Sequence, residues 1–323
     1  MQLSIVIINF RYFDLTCNCL KSVKQYVTEL QYEIILVDNA PLEDKEKDFK
    51  SLIPGLKYIK TSENIGFSKA NNLGIENAEG NYILLLNSDT LIFDDSIQQC
   101  FDFMETDQNR NIGLLGCKLL NADYSYQPSF YPFINDSAWN FFCVENPVLY
   151  KLFKIKQKYA EPTEPIQVGD VSGAFMFLRR AVITTVNAFD PDFFLYSEET
   201  EWCRNRIAKF YKICYFPKAA VVHLGGQSTP KSYLFAQSRL SLSLAWYKKG
   251  WFSYLLYIFC CYSNLVFFVI TYIFLRNKTY YKEYIKTYFS LVPSLIFDIP
   301  GYSAQYGSRK EPLIYGKAKK HFQ

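Results

Sequence analysis

Histidine is nearly absent from this sequence, which has only His223 and His321 among its 323 residues. Any mechanism that needs several histidines is therefore excluded. The nine cysteines are odd in number and include no CxxC pair, which excludes a zinc ribbon, a thioredoxin-type site and a secreted disulfide framework. Strong net charge is also lacking: 35 basic and 31 acidic residues leave +4, so nucleic acid is not an expected partner.

The first residues also lack the charged start and the cleavage site of a signal peptide. The cysteine pattern fits free thiols in a reducing compartment, and with no signal peptide we expect any catalytic part to be cytoplasmic. What the chain does have is many apolar side chains: half of its residues are hydrophobic and 18% are aromatic. A chain of this composition can bury a sizeable core.

Apolar, β-branched runs alternate with stretches of helical length up to about residue 225. The runs at 3–8, 33–37 and 82–86 predict buried strands, and a helix is expected from Asp14, as its cap, to Tyr26. Strands separated by helix-length segments predict βαβ units, a mostly parallel sheet and an α/β fold class.

A second feature is the run of 25 residues without a formal charge over Trp251–Leu275, which is long enough to span a bilayer. The tail after it holds nine Lys or Arg residues and three Asp or Glu residues, and the positive-inside tendency disfavours placing this tail outside. With Ser263 and Asn264 in the middle of the run, a re-entrant hairpin or a pair of interfacial helices fits best. A single span and a buried helix hairpin of a soluble domain are the alternatives.

Carboxylates follow two of the predicted strands directly, Asp38 after 33–37 and Asp89 after 82–86. Ligands of parallel α/β sheets lie beyond the carboxyl ends of the strands. In the sequence Asn87-Ser88-Asp89, the acid can reach a divalent cation that also holds a diphosphate. The same three residue types also favour helix caps and turns, which is the plain structural reading.

The segment from Glu63 to Gly74 is a denser signal, because it combines two glycines with paired amides. Gly66 permits close backbone approach, and Asn71 and Asn72 are expected at the start of a helix that runs to residue 78 and stops at Gly80. Such a loop suits the reading of hydroxyls and phosphate oxygens. A plain loop with a helix cap accounts for Asn71 alone.

Three acids, Glu198, Glu199 and Glu201, lie within four residues after an aromatic run. One of them can serve as a general base whose pKa is raised by its acidic neighbours, although acids at a helix N-terminus also simply complement the helix dipole. His223 follows the strand-like residues 219–222 and precedes a glycine pair. A metal would have access there, although a lone histidine is more often structural.

Taken together, four blocks in this order resemble a glycosyltransferase of family 2 with the GT-A fold. The blocks are SIVIINF with ILVDN, ENIGFSKANNLGI with LLLNSDT, GDVSGAFMFLRR, and FDPDFFLYSEETEWCRNRI followed by VVHLGG. The sequence is most similar to the rhamnosyltransferase-like enzymes of bacterial surface-polysaccharide assembly. The resemblance implies a Rossmann-like GT-A catalytic domain over 1–226, followed by a helical, membrane-associating region over 227–323 with its basic tail at 276–323.

The resemblance also implies a role for each matching residue. Asp38 would bind the base or ribose of the nucleotide, and Asp89 and His223 would hold a divalent cation, Mg²⁺ or Mn²⁺. Glu199 would be the catalytic base, with Glu198 as its substitute. The other implied positions line the donor pocket (Asn9, Asn64, Gly66, Phe67, Asn71 and Asn87) or border the acceptor (Gly173 and Trp202).

The sequence departs from the family pattern at three places. The metal motif is Asn-Ser-Asp with one firm acid, the usual Glu-Asp pair is Glu-Glu, and the QxxRW box of processive synthases is missing near 237–246. The missing box predicts transfer of a single sugar. The expected reaction is an inverting displacement from a nucleotide-sugar, with dTDP-rhamnose as the first guess, to a glycan or polyprenyl-diphosphate-linked acceptor at the inner face of the bacterial plasma membrane.

Two other functions fit parts of the sequence. A sugar-phosphate nucleotidyltransferase would have a glycine-rich, basic loop after its first strand, whereas residues 9–13 read Asn-Phe-Arg-Tyr-Phe. A membrane-bound scaffold that binds a nucleotide-sugar without turning it over would tolerate the atypical Asn-Ser-Asp and Glu-Glu motifs. Release of the nucleotide from a donor distinguishes this scaffold from an enzyme.

Overall fold

The structure, a computed structural model, describes residues 1–39, 41, 44–131, 161–225 and 231–275, together with residues 285 and 289. The predicted domain boundary at residue 226 and nearly all of the predicted basic tail lie outside the described residues. The described chain forms two compact units. One unit holds the residues up to 131 with 162–194 and 198–225, and the other holds residue 161, residues 195–197 and the chain from Lys231 onward.

The first unit is built on a mixed β-sheet. The strands described in this unit are β1 (Leu3–Asn9), β2 (Tyr32–Asp38), β3 (Lys57–Lys60), β4 (Tyr82–Asn87), β5 (Thr90–Leu91), β6 (Ile112–Leu120), β7 (Tyr126–Gln127), β8 (Phe130–Tyr131), β9 (Ile166–Gln167), β10 (Asp170–Val171), β11 (Phe175–Arg179) and β12 (Lys212–His223). The main sheet has the order β3-β2-β1-β4-β11-β6-β12-β5, with β7 beside β6 and β9 beside β12. Strands β8 and β10 form a separate antiparallel pair.

The sheet is less parallel than the sequence predicts. Strands β3, β2, β1 and β4 are parallel, as are β6 and β12, but β11 lies antiparallel between β4 and β6. Strand β5 is also antiparallel to β12. Alternating apolar runs predict only that strands and helices alternate, and they do not specify the direction in which a strand such as β11 enters the sheet.

The parallel register brings the ends of neighbouring strands together. Asn9 is paired with Asp38 across β1 and β2, and Ile8 is paired with Asn87 across β1 and β4. Because these strands are parallel, their carboxyl ends meet at one edge of the sheet. The polar residues that the sequence places after separate strands therefore lie at the same edge.

Both faces of the sheet are covered. Leu3, Ile5 and Ile7 of β1 pack in one apolar cluster and Val6 packs in another, and all four are fully buried. This alternation is the period of a strand, and burial on both faces accounts for the unbroken apolar run that predicted β1. The eight described cysteines are all buried free thiols.

Helices flank the sheet, and two of them differ in detail from the prediction. The helices of the first unit are α1 (Phe13–Tyr26), α2 (Glu46–Leu52), α3 (Phe67–Glu76), α4 (Ser96–Glu105), α5 (Arg180–Val186) and α6 (Glu198–Glu201). Asp14 is not the cap of α1, because it lies inside the first turn and Tyr12 occupies the cap position. Helix α3 begins at Phe67, four residues earlier than expected, with Gly66 at the cap position.

Gly80 does not terminate α3 in the expected manner. The helix ends at Glu76 and is capped by Asn77, three residues before Gly80. A Cβ atom on Gly80 would lie 2.5 Å from the backbone nitrogen of Ser4. The glycine is therefore required by the close approach of two backbones at the start of β4, and not by a helix stop.

The second unit contains the charge-free segment as one uninterrupted helix. Its described helices are α7 (Lys231–Lys248) and α8 (Trp251–Leu275), joined through Gly250 at a φ of 120°. The expectation of a re-entrant hairpin within 251–275 is therefore wrong. Ser263 does not interrupt α8, because its hydroxyl donates to the carbonyl of Phe259 within the helix, and Asn264 is buried. The length and composition of α8 would allow it to cross a membrane.

Candidate active site

The ends of β1 and β2 carry a buried polar network centred on Asp38. The Asn9 amide donates to one oxygen of the Asp38 carboxylate at 2.7 Å, and the Tyr58 hydroxyl donates to the other at 2.5 Å. Thr16 in turn donates to the Asn9 amide oxygen at 2.7 Å. Asp38 and Asn9 are 1% and 4% exposed. These two residues therefore support the edge of the sheet, and their contact with a nucleotide stays a prediction.

Asn39, which the sequence analysis did not single out, ties this edge to the glycine loop. Its amide donates to the side-chain oxygen of Asn64 at 2.9 Å, and its own oxygen accepts from the backbone nitrogen of Ile65 at 3.0 Å. The Asn64 oxygen also accepts from the Gly66 nitrogen at 3.0 Å. Asn39 thus shapes residues 64–66, one of the segments predicted to contact the donor.

Gly66 is required at its position for two reasons. Its φ of 83° lies in the left-handed region, and a Cβ there would lie 2.5 Å from the ring of Phe194 and 2.7 Å from the Phe194 carbonyl oxygen. The next residue, Phe67, donates its backbone N–H to the same carbonyl at 2.6 Å. The loop before α3 is thereby fixed to the aromatic segment that leads toward the glutamate pair.

Phe67 connects the predicted donor and acceptor positions. A Cβ on Gly173 would be 3.8 Å from the Phe67 ring, so a larger residue at 173 would meet this ring. The Phe67 ring also lies 6.2 Å from that of Phe189. Donor-side Phe67 and acceptor-side Gly173, which are 106 residues apart in the sequence, are therefore neighbours in the structure.

The two asparagines of α3 have different partners from those expected. They lie in the second turn of the helix, and the Asn71 amide donates to the Phe67 carbonyl at 3.0 Å within the helix. Asn72 holds the backbone of Phe189 by two hydrogen bonds, of 2.8 and 3.0 Å. Asn71 is 2% exposed, so the structure gives it a role in the helix, and the expectation of amides at the helix start is wrong.

The end of β4 and the end of β12 bring Asp89 and His223 together. Strand β5 pairs Thr90 with His223, which places Nε2 of the imidazole 3.3 Å from a carboxylate oxygen of Asp89. Both side chains are less than one-fifth exposed. Nδ1 of His223 lies 2.7 Å from the amide oxygen of Gln127. The two residues that the family resemblance implies as metal ligands are thus neighbours in space, although they are 134 residues apart in the chain.

This pair fits a divalent cation of the Mg²⁺ or Mn²⁺ type. A carboxylate oxygen and an imidazole nitrogen face each other, and the far ring nitrogen is held by a hydrogen bond, as is usual for metal-binding histidines. Among the described residues no group of three or more His, Cys, Asp or Glu side chains gathers. Diphosphate oxygens and water are suitable further ligands for such a cation, because Mg²⁺ usually keeps several waters and binds substrate phosphates.

The glutamate pair begins the short helix α6. Tyr196 and Ser197, which precede this helix, have φ values of 71° and 66°, a backbone conformation that residues other than glycine rarely adopt. Glu198 is 3% exposed. The Glu199 residue is only partly buried, but its Oε2 is closed off from solvent and accepts no hydrogen bond from a described residue.

Burial, together with the nearby charge of Asp170, raises the pKa of Glu199 to about 7. Asp170 is itself 1% exposed and lies 2.6 Å from Nε of Arg204. A carboxyl group with this pKa accepts and releases protons near neutral pH. The sequence analysis gave Asp170 no role, because its approach to Glu199 joins two positions that are 29 residues apart in the chain.

Trp202 does not meet its prediction as an acceptor contact. Its ring is fully buried, its indole N–H donates to the carbonyl of Asn187 at 2.9 Å, and its ring centroid lies 4.5 Å from that of Phe189. A fully buried ring cannot face an acceptor. Trp202 is instead part of an apolar core cluster.

The sequence profile of glycosyl transferase family 2 matches residues 4–186, more than half of the chain. The chain belongs to glycosyl transferase family 2. The N-acetylglucosaminyl-diphospho-decaprenol L-rhamnosyltransferase of Mycobacterium tuberculosis is 25% identical to it over 243 residues, which cover 69% of this chain and 78% of that protein. This relative confirms the similarity to rhamnosyltransferase-like members of family 2.

Two solved structures resemble this family 2 chain in fold. A mannosyltransferase from Pyrobaculum calidifontis in complex with GDP-Man and Mn²⁺ has a TM-score of 0.56 at 11% identity, covering 92% of this chain and 87% of that one. GalNAc-T7 with UDP, GalNAc and Mn²⁺ also has a TM-score of 0.56, at 16% identity, covering 77% of this chain. The chain spans about half, 49%, of the GalNAc-T7 chain.

These likenesses confirm the predicted α/β GT-A fold, and α8 is the predicted apolar C-terminal helix. Family membership and the relatives also support a glycosyltransferase, as predicted. A sugar-phosphate nucleotidyltransferase and a non-catalytic scaffold have no comparable support among these findings.

Proposed function

We propose that this glycosyltransferase inverts the anomeric centre and transfers a single sugar from a nucleotide-sugar to a polyprenyl-diphosphate-linked glycan in surface-polysaccharide synthesis. The observation that carries the proposal is the state of Glu199, whose Oε2 is enclosed without a hydrogen-bond partner among the described residues and whose pKa is raised to about 7. An enclosed carboxylate that holds a proton weakly at neutral pH is what a general base requires.

In the proposed reaction, Glu199 accepts the proton of an acceptor hydroxyl as that oxygen attacks the anomeric carbon of the donor. The new carbon–oxygen bond forms on the face opposite to the diphosphate, while the bond from the anomeric carbon to the diphosphate oxygen breaks. The nucleoside diphosphate leaves with the bonding electron pair, and the configuration inverts. Asp170 supports this role, because its negative charge raises the proton affinity of Glu199.

Asp89 and His223 are the residues that would hold a divalent cation in this reaction. When bound, Mg²⁺ or Mn²⁺ offsets the negative charge that develops on the departing diphosphate. The facing arrangement of the two side chains supports this assignment. The Mn²⁺ named in the two similar structures is consistent with it.

Donor positioning is assigned to the loop of Asn64, Gly66 and Phe67. Its backbone is held by Asn39 on one side and by the Phe194 carbonyl on the other, so it is fixed before a donor arrives. A preorganised loop reduces the entropy lost on substrate binding. Asn87 follows at the end of β4, beside the same sheet edge.

The donor sugar and the acceptor are proposed from the mycobacterial relative, whose name gives L-rhamnosyl transfer to N-acetylglucosaminyl-diphospho-decaprenol. The first donor to test is dTDP-rhamnose, and galactose, glucose and N-acetylated sugars follow. The absence of a QxxRW box near 237–246 supports a single transfer per acceptor.

A membrane location is proposed from the outer face of α8. The helix is about 38 Å long at 1.5 Å per residue, enough for a hydrocarbon core of about 30 Å. Seven of its apolar residues are 49% to 81% exposed, and at 100° per residue they fall within an arc of about 100°. These residues are Trp251, Phe252, Leu255, Phe259, Val266, Ile270 and Ile273. The basic residues of the tail favour the inner, anionic face of the membrane.

The test is release of nucleoside diphosphate by membrane-extracted protein across a panel of nucleotide-sugars, with Mn²⁺ or with EDTA. The reactions include a short polyprenyl-diphosphate-N-acetylglucosamine acceptor. We expect acceptor-dependent release from one donor that EDTA abolishes. Release that needs no metal would overturn the role of Asp89 and His223, and absence of both release and donor binding would overturn the transfer itself.

A further inference from the structure

A chain of polar side chains runs from the surface turn after β6 to His223. The Ser125 hydroxyl lies 2.6 Å from the Asp123 carboxylate, and the Asn121 amide lies 2.9 Å from the Ser125 oxygen. The Gln127 amide is 3.1 Å from the Asn121 oxygen, and its own oxygen is 2.7 Å from Nδ1 of His223. All five residues belong to the first unit.

The chemistry of the groups fixes the direction of every hydrogen bond in this chain. An ionised carboxylate only accepts, so the Ser125 hydroxyl donates to Asp123 and its oxygen is left to accept. The group of Asn121 that faces Ser125 must then be its NH₂, which turns the Asn121 oxygen toward Gln127. Gln127 consequently presents its NH₂ to Asn121 and its oxygen to His223.

An oxygen that faces Nδ1 requires a proton on Nδ1. The proton of the neutral imidazole therefore stays on Nδ1, and the lone pair is on Nε2, which faces Asp89 at 3.3 Å. Nε2 is then available as a ligand to a cation between these two side chains. In metal sites the hydrogen bond at the far ring nitrogen sets both the tautomer and the ring orientation in this way.

We infer that Gln127 is a positioning residue for cation binding, which acts by accepting a hydrogen bond from Nδ1 of His223 and so directs the Nε2 lone pair toward Asp89. The inference rests on the proposed function, because it assumes that Asp89 and His223 hold the cation. Gly225 supports the arrangement, since a Cβ at this position would lie 3.4 Å from the Gln127 amide nitrogen and 3.5 Å from the imidazole.

The first test compares two replacements of Gln127 in the full-length protein. Gln127→Met keeps the length of the side chain and removes the acceptor, whereas Gln127→Glu keeps an acceptor. Mn²⁺ affinity is measured by electron paramagnetic resonance in the presence of dTDP or UDP, without turnover. We expect Gln127→Met to bind Mn²⁺ about 10- to 100-fold more weakly, as is usual for such outer partners, and Gln127→Glu to remain within about threefold.

Gln99→Met is the matched control, because the Gln99 amide, like that of Gln127, donates to a side-chain oxygen four to six residues earlier in the chain, but Gln99 lies on α4. Wild-type affinity in Gln127→Met, or an equal loss in Gln127→Glu, would overturn the inference. Thermal unfolding of each variant shows whether a loss of affinity comes with a loss of folding.

The second test reads the tautomer directly and needs no metal. Because the chain has only two histidines, ¹⁵N-histidine labelling gives two ring systems, and replacing His321 assigns them. We expect a directly bonded proton on Nδ1 of His223 in the metal-free protein and in the Mg²⁺-loaded protein. A neutral ring with an unprotonated Nδ1 would overturn the inference. Absence of Mn²⁺ binding by the wild type, with Nδ1 protonated, would instead contradict the proposed metal site alone.

Discussion

Replacing Glu199 by Gln should stabilise the fold at alkaline pH while it abolishes transfer. In the native chain the pKa of this carboxyl group is raised from 4.5 to about 7 by burial and by Asp170. Between these two values the folded state keeps a proton that the unfolded chain has released, so the free energy of unfolding falls as the pH rises. A shift of this size corresponds to about 3 kcal/mol above pH 7, at 1.36 kcal/mol for each pKa unit.

Glutamine has the size of the protonated glutamate and does not ionise. The Glu199→Gln variant should therefore match the wild type near pH 4.5 and be more stable at pH 8 by up to about 3 kcal/mol. Its transfer rate should fall by about 10²- to 10⁴-fold, the usual effect of removing a general base. In the wild type, transfer should rise with pH through about 7 and then level off, because the base acts when deprotonated.

The assay is urea unfolding of the purified protein at pH 5 and pH 8, followed by fluorescence, beside a transfer assay. Glu76→Gln is the matched control, because Glu76 lies exposed on α3 and its replacement should change neither measurement. The reasoning is refuted if the stability of Glu199→Gln relative to the wild type does not increase between pH 5 and pH 8, or if the variant keeps more than about a tenth of wild-type transfer.

Three further substitutions test separate parts of the account. Gly66→Ala should weaken donor binding and should destabilise the fold by more than Gly55→Ala. Both glycines have φ near 84°, but only at Gly66 would a Cβ meet the Phe194 ring. Equal losses of stability in urea unfolding would contradict this close-contact argument. Phe259→Ser, on the exposed face of α8, should reduce co-sedimentation with anionic vesicles severalfold, and unchanged binding would argue against a membrane role for this face. Trp202→Phe should cost about 1 kcal/mol of stability through the lost hydrogen bond to Asn187 and leave the KM for acceptor unchanged, so a raised KM would restore the acceptor role of Trp202.

The elements that the sequence predicts best are those with a local signal. The apolar runs of β1, β2 and β4 predict buried strands, and these strands form. Continuous burial on both faces of a sheet leaves a pattern that can be read without knowing the partners. The carboxyl-end positions of Asp38 and Asn87 follow from the same pattern, because parallel strands end at one edge.

Features that depend on contacts between distant segments were not predictable. The antiparallel insertion of β11, the hold of Asn39 on Asn64, and the approach of Asp170 to Glu199 all join residues far apart in the chain. The start of α3 was misplaced for a related reason, since the φ of Gly66 is set by its packing against Phe194. The apolar run of α8 predicts a helix of spanning length but does not reveal that Ser263 bonds within it.

The central claim is a single displacement in which Glu199 acts as the base, and the stereochemistry of the product tests it most directly. The product formed from the donor that the panel identifies would be isolated, and its anomeric configuration determined by NMR from the coupling at the anomeric carbon. The account predicts a configuration opposite to that of the donor. Retention of the donor configuration would contradict a single displacement and, with it, the role assigned to Glu199.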